Sequence, residues 1–117
     1  MRLLVILNDP PYGTERSYNG LRLALSVLKS SEETGVTVFL MGDAVAAAKA
    51  GQQTPTGYYN IERMLRGVLT RRGDVLLCGT CMDARGLRDE EILEGGRRST
   101  MDELTGLTTT ADKVLVF

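Results

Sequence analysis

Short apolar runs alternate with amphipathic stretches along this chain. Leu3-Leu4-Val5-Ile6-Leu7 is a continuous apolar run and reads as a strand buried on both faces. It ends at Asn8-Asp9-Pro10-Pro11-Tyr12-Gly13, where two prolines and a glycine stop both ladder and helix. Thr14 can cap a helix in which Tyr18, Leu21, Ala24, Leu25 and Leu28 share a face, leaving Arg22, Lys29 and Glu33 to water. Val36–Met41 is the second predicted strand. Asp43 then caps a short Ala-rich helix, Ala44–Ala50, stopped by Gly51. Gln52–Gly57 reads as a loop. A further helix carries Ile61, Met64, Leu65, Val68 and Leu69 on one face and ends near Arg72-Gly73, with cations on its C-terminal dipole.

Val75–Cys78 is the third strand, and Gly79–Gly86 reads as a loop. Leu87–Glu94 has room for one or two helical turns before Gly95-Gly96 breaks the chain, and a short edge strand fits Arg97–Ser99. Thr100-Met101-Asp102-Glu103 is a capping box, so another helix starts there. Val114–Phe117 is the last strand. Non-alternating strands separated by helices predict an α/β fold, a parallel sheet held between helix layers.

Composition narrows the chemistry. The 117 residues suit one domain, 1–117, and the 43% hydrophobic and 25% charged fractions are those of a globular protein. Fourteen cations against fifteen anions leave a net charge of −1, which gives no electrostatic reason to expect nucleic acid or an anionic membrane as partner. The absence of His excludes a Ser-His-Asp triad, a Cys-His dyad and a His-ligated metal within the chain. No Trp and few aromatics weaken a base-stacking platform. The apolar run at Leu3–Leu7 is far short of the ~20 residues that span a bilayer, and no signal peptide is visible, so the cytosol is the expected compartment.

Ligands of open α/β sheets bind at the carboxyl ends of the strands. Here those ends are Asn8–Thr14, Met41–Asp43 and Cys78–Gly86, and the last holds both cysteines, as Cys78-Gly79-Thr80-Cys81. A reactive thiol needs a lowered pKa, supplied by a helix start or a cation. Arg85 and Arg88 are close in sequence, and Gly79 and Gly86 let backbone N–H groups approach sulfur. A nucleophilic thiol, a persulfide carrier and a dithiol/disulfide switch all fit, and inert packing of Cys78 is the bland alternative. Zinc needs four ligands, which two Cys supply only across subunits; no metal is expected. With neither G-x-G-x-x-G nor a Walker A motif, no cofactor is expected either. Tyr12-Gly13-Thr14 offers a hydroxyl and a helix start, or is only a rigid turn. Asp83 is a turn residue or a proton acceptor for a thiol.

Six blocks together resemble one family. They are Pro10-Pro11-Tyr12-Gly13-Thr14-Glu15 with the following Leu21-Arg22-Leu23-Ala24 helix, Phe39-Leu40-Met41-Gly42-Asp43-Ala44-Val45, Gly57-Tyr58-Tyr59-Asn60-Ile61, Leu77-Cys78-Gly79-Thr80-Cys81-Met82-Asp83-Ala84-Arg85-Gly86, and Ala111-Asp112-Lys113-Val114-Leu115-Val116-Phe117. Their order and spacing are similar to the DsrE/DsrF family, and to its YchN-like branch in particular. The resemblance implies a three-layer α/β/α domain with a five-stranded parallel sheet, assembled as trimers stacked into hexamers with cysteine sites near subunit interfaces. It further implies that Cys78 matches the cysteine that accepts a persulfide sulfur from a donor protein and passes it on, and that Gly86 matches the glycine closing that loop. Cys81 is characteristic of the YchN-like branch, and such a neighbour would attack a persulfide on Cys78, releasing sulfide and forming a disulfide. The expected function is therefore sulfur handling by Cys78 and Cys81, supported by Tyr12, Gly13, Thr14, Gly79, Asp83, Arg85 and Gly86. The alternative is a non-enzymatic homo-oligomeric binding module with structural cysteines.

Overall fold

A computed structural model describes residues 1–55 and 59–117. Five strands form one all-parallel sheet: β1 (Arg2–Leu7), β2 (Gly35–Leu40), β3 (Asp74–Cys78), β4 (Arg97–Ser99) and β5 (Lys113–Val116). Their spatial order is β4-β3-β2-β1-β5, with Val5 opposite Val38 and Leu115, and Phe39 opposite Leu76. The architecture is the predicted α/β sandwich, but its two helix layers are unequal. Helices α1 (Arg16–Ser30) and α2 (Ile61–Thr70), with a 3₁₀ segment at Gly42–Ala48, cover one face. Val5, Leu7, Val38, Leu40 and Leu77 are buried there. The opposite face is covered by α4 (Met101–Thr110), which seals Leu4, Phe39 and Leu76 under Leu104.

β1, β2 and β3 are largely buried on both faces, as their predominantly apolar runs predict, with Ile6 and Thr37 half-buried. The last strand departs from that reading. Val114 and Val116 of β5 are 37% and 64% exposed, because α4 does not extend over the sheet margin. Only Leu115 and Phe117, on the α1 side, pack into the core.

Three local readings also change. Gly79–Gly86 is not a loop: residues Gly79–Ala84 form α3, a short helix with Met82 fully buried. The segment after β2 is the 3₁₀ turn Gly42–Ala48 rather than a helix at Ala44–Ala50; Met41 occupies the cap position and Asp43 lies in the first turn. Of Leu87–Glu94, only Asp89–Glu91 is helical, again as a 3₁₀ turn. Glu15 rather than Thr14 is at the cap position of α1, but the Thr14 hydroxyl, one residue earlier, accepts from the Arg16 N–H at 3.4 Å. Residues 52–55 are irregular, as expected of a loop, whereas Thr56 and Gly57 from that loop, and Tyr58, lie outside the described residues. Asn60 caps α2 by accepting a hydrogen bond from the Arg63 N–H at 3.0 Å.

Candidate functional site

The parallel sheet delivers β3 to the edge at which ligands of such folds bind. Its last residue, Cys78, is also the N-cap of α3, so the chain turns from strand to helix at this sulfur. Cys81 lies in the first turn of that helix, and its N–H donates to Cys78 Sγ at 3.3 Å. The two thiols are free and half-buried. Cys78 packs against both cores, one on each side of the sheet. The C-x-x-C spacing thus brings both sulfurs to a single turn.

Gly79 is buried, and its carbonyl accepts a hydrogen bond from Arg98 Nη1 at 3.0 Å. Arg98 also donates through Nη1 to Asp83 Oδ1 at 3.0 Å and through Nε to Asp89 Oδ1 at 2.9 Å. This arginine on β4 therefore holds both ends of α3. Asp83 faces Arg98. Arg85 Nε donates to Asp43 Oδ1 at 2.8 Å, and its Nη1 donates to the Cys81 carbonyl at 3.1 Å. Arg88 pairs with Glu90 and Glu91. The cations near the cysteines in sequence are thus engaged by carboxylates and carbonyls. Gly86 has a φ of +62°, a left-handed conformation that costs glycine little, and the chain reverses there so that the Leu87 N–H reaches the Met82 carbonyl at 3.0 Å.

Electrostatics follow this geometry. Burial pushes the Cys78 thiol up, and the adjoining Cys81 thiol raises it further. The Cys81 and Thr80 N–H groups act in the opposite direction and do not prevail. Cys78 accordingly rests as a thiol at neutral pH. The sequence-based expectation of a sulfur made anionic by Arg and backbone dipoles differs from this, since the Arg side chains point to other partners.

The Tyr12–Thr14 loop occupies another part of the same sheet edge. Tyr12 Oη donates to Gln52 Oε1 at 2.5 Å and accepts from the Ile61 N–H at 3.2 Å, tying the loop to the start of α2. Gly13 has a φ of +102°. Together with Glu15, Tyr18 and Tyr59 this loop lines an open pocket of about 320 Å³, whose lining does not include the cysteines. Cys78, Gly79, Cys81, Asp83, Arg85 and Gly86 thus cluster on one turn, while Tyr12, Gly13 and Thr14 line a neighbouring pocket. Two structural partners escaped the sequence reading. Arg98 carried a signal only as one of two arginines in an edge strand. Buried Glu62 gave none; it accepts from the Gly51 and Gln52 N–H groups at 3.0 Å each and so fixes the loop that Tyr12 contacts.

Comparison with known proteins agrees with this architecture. The DsrE/DsrF-like family model matches residues 1–117. The chain is 38% identical over 116 residues to protein YchN of Escherichia coli strain K12, covering 99% of this chain and 98% of that protein. It is 36% identical over 117 residues to the uncharacterized protein MJ0989 of Methanocaldococcus jannaschii, each covered in full. The crystal structure of YchN from E. coli superposes with a TM-score of 0.94, covering 99% of this chain and 98% of that one. MTH1491 from Methanobacterium thermoautotrophicum shares the fold at a TM-score of 0.81 with 11% identity, covering 99% and 98%. The uninterrupted match over the whole chain establishes that this protein belongs to the DsrE/DsrF-like family.

Proposed function

We propose that this protein handles sulfur through Cys78 and Cys81, as a persulfide carrier or as a dithiol that closes to a disulfide. The observation that carries the reading is the approach of the Cys81 N–H to Cys78 Sγ at 3.3 Å, on a half-buried turn at the carboxyl end of a parallel strand. Cys78 takes the terminal sulfur of a persulfide donor, R–S–SH, becoming Cys78–S–SH and releasing R–SH. Passing that sulfur to an acceptor thiol restores Cys78. If Cys81 attacks Cys78 Sγ instead, a Cys78–Cys81 disulfide forms and hydrosulfide leaves; a dithiol reductant then returns both thiols with two electrons. Asp83, Arg85, Gly79 and Gly86 hold the turn, and the Tyr12–Thr14 loop walls the adjoining approach.

Uptake rises with pH into the alkaline range, because the attacking species is the thiolate and burial keeps Cys78 protonated. The test is to expose the reduced protein to a small-molecule persulfide and locate added sulfur by peptide mass spectrometry. We expect one added sulfur on Cys78, retained longer in Cys81→Ser than in the native chain. Equal labelling of Cys78→Ser would sink the assignment.

The raised Cys78 pKa favours a second reading, a homo-oligomeric binding module in which both cysteines are structural. Val114, Val116 and Met101 leave apolar surface for a second copy, as a trimer or hexamer built from single 1–117 domains. On that reading the native chain takes up no sulfur, and the double Ser variant keeps its assembly and its ligand. Among the described residues no helix is long and apolar enough to cross a membrane. Reduced cysteines suit a cytoplasmic protein whose partners are a sulfur donor and an acceptor protein, working without metal or cofactor.

A further inference from the structure

The charged side chains are unevenly partnered. Among the described residues Arg16, Arg66, Arg85, Arg88, Arg97 and Arg98 each pair with a carboxylate. Arg22, Lys29, Arg63 and Arg71 form no ion pair with any described residue, although all four are exposed and line one open groove between α1 and α2. Among the described residues no carboxylate lines that groove. Arg22 lies over the Tyr18 ring at 5.6 Å and donates to Asn19, and Arg71 reaches the Gly67 carbonyl, so their local contacts are neutral. Four of the cations that pair with no carboxylate among the described residues thus line a single groove.

Both helices run back against the strand direction, as right-handed crossovers require, and so lie parallel to each other. Leu25 packs beside Gly67, which sets the register between them. Arg22 then falls near Arg63 at one end of the groove, and Lys29 near Arg71 at the other. At about 1.5 Å per residue the two cationic ends are roughly 11 Å apart. Half-buried Leu25 and Met64 form an apolar floor between them.

We propose that this groove docks an acidic amphipathic helix of a partner protein. Carboxylates seven residues apart on a helix are separated by about 10.5 Å, which matches the two cationic ends. An apolar residue at i+3 or i+4 of the same stripe meets Leu25 and Met64. Nucleic acid fits less well: the groove has an aliphatic floor, and among the described residues no aromatic side chain lines it to stack a base. The proposal does not depend on the cysteines, so it stands or falls separately from sulfur transfer.

The probe is a synthetic capped helical peptide with glutamates at i and i+7 and leucines at i+3 and i+4, followed by fluorescence anisotropy on the full chain. A peptide of the same composition in shuffled order and a single-stranded oligonucleotide serve as comparisons. We expect saturable, salt-sensitive binding of the patterned peptide, weakened about tenfold in Lys29→Glu/Arg63→Glu, with the shuffled peptide also weaker. Circular dichroism checks the fold of that variant, and Lys29→Gln/Arg63→Gln replaces it should charge reversal unfold the chain. The proposal is overturned by an absence of saturable binding, by equal binding to the variant, by indifference to peptide order, or by tighter binding of the oligonucleotide.

Discussion

Glu103 joins a strand to a helix with one carboxylate. Arg97 donates to both of its oxygens, at 2.9 and 2.6 Å, and the Ser99 hydroxyl donates to Oε1 as well. These donors hold the carboxyl well below its usual range, at about 2. The stability this adds is present above the unfolded value of 4.5 and is lost as pH falls from there towards about 2. The pair is partly open to solvent, so its worth is on the order of 1 kcal/mol. Glu103→Gln should therefore lower the melting temperature by about 3–6 °C at pH 7. Thermal unfolding followed through acid should show the two proteins converging as pH drops through that window. A gap unchanged by pH would count against the ion pair. This residue also marks how far a motif can be read. Thr100 accepts from the Glu103 N–H at 3.2 Å, so half of the capping box stands as its spacing predicts. The other half would turn the Glu103 side chain back to the Thr100 N–H, a neutral donor. A guanidinium is the stronger partner, and nothing in four consecutive residues announces an arginine on the strand before them.

At the scale of elements, α3 is the helix that the sequence does not announce. Gly-Thr-Cys-Met-Asp-Ala opens on the poorest helix former after proline and is too short for a period to emerge. Long-range contacts form it instead, through the buried Met82 and through Arg98 on Gly79 and Asp83. A Cβ at Gly79 would come within 2.9 Å of Arg98 Cγ and Nη1 and 3.1 Å of the Ser99 carbonyl oxygen. Gly79→Ala should destabilise the protein by about 1–3 kcal/mol, measured by urea unfolding. Adding Arg98→Ala should cost less in that background than in the native one, because it removes two of the three close neighbours. Strict additivity of the two changes would mean that the helix is positioned by something else. By contrast, β1, β2, β3 and α1 were legible because each carries a predominantly apolar run or a full helical stripe. The cysteine pair was legible as two sulfurs placed together at the end of β3, while the upward direction of the Cys78 pKa was not. Burial and the orientation of Arg85 are consequences of packing.

The molecule as a whole is lopsided. Alternating strands and helices identify a parallel sheet sandwiched by helices, yet they do not say how many helices fall on each face or which strand ends at the margin. One helix on the α4 side leaves Ile6 half-covered beside Val116, its partner in register. Val114-Leu115-Val116-Phe117 therefore looks fully buried in sequence, but only its alternate members, Leu115 and Phe117, pack half-buried against the core. If a second copy covers this margin, Val114→Glu/Val116→Glu should yield monomers in analytical ultracentrifugation while preserving the circular dichroism of the native chain. An unchanged sedimentation coefficient would place the contact elsewhere.

The Arg98 clamp has a mechanical consequence. β4 is three residues long and pairs with β3 alone, which makes it the least secured rung of the sheet. The turn that carries both sulfurs is fastened to that rung by the pairing of Cys78 with Ser99 and by one guanidinium. Fraying at the sheet's border and loosening around the thiols are thus a single event, and a visitor that peels back or props up the border strand would reset the surroundings of both sulfur atoms without touching either.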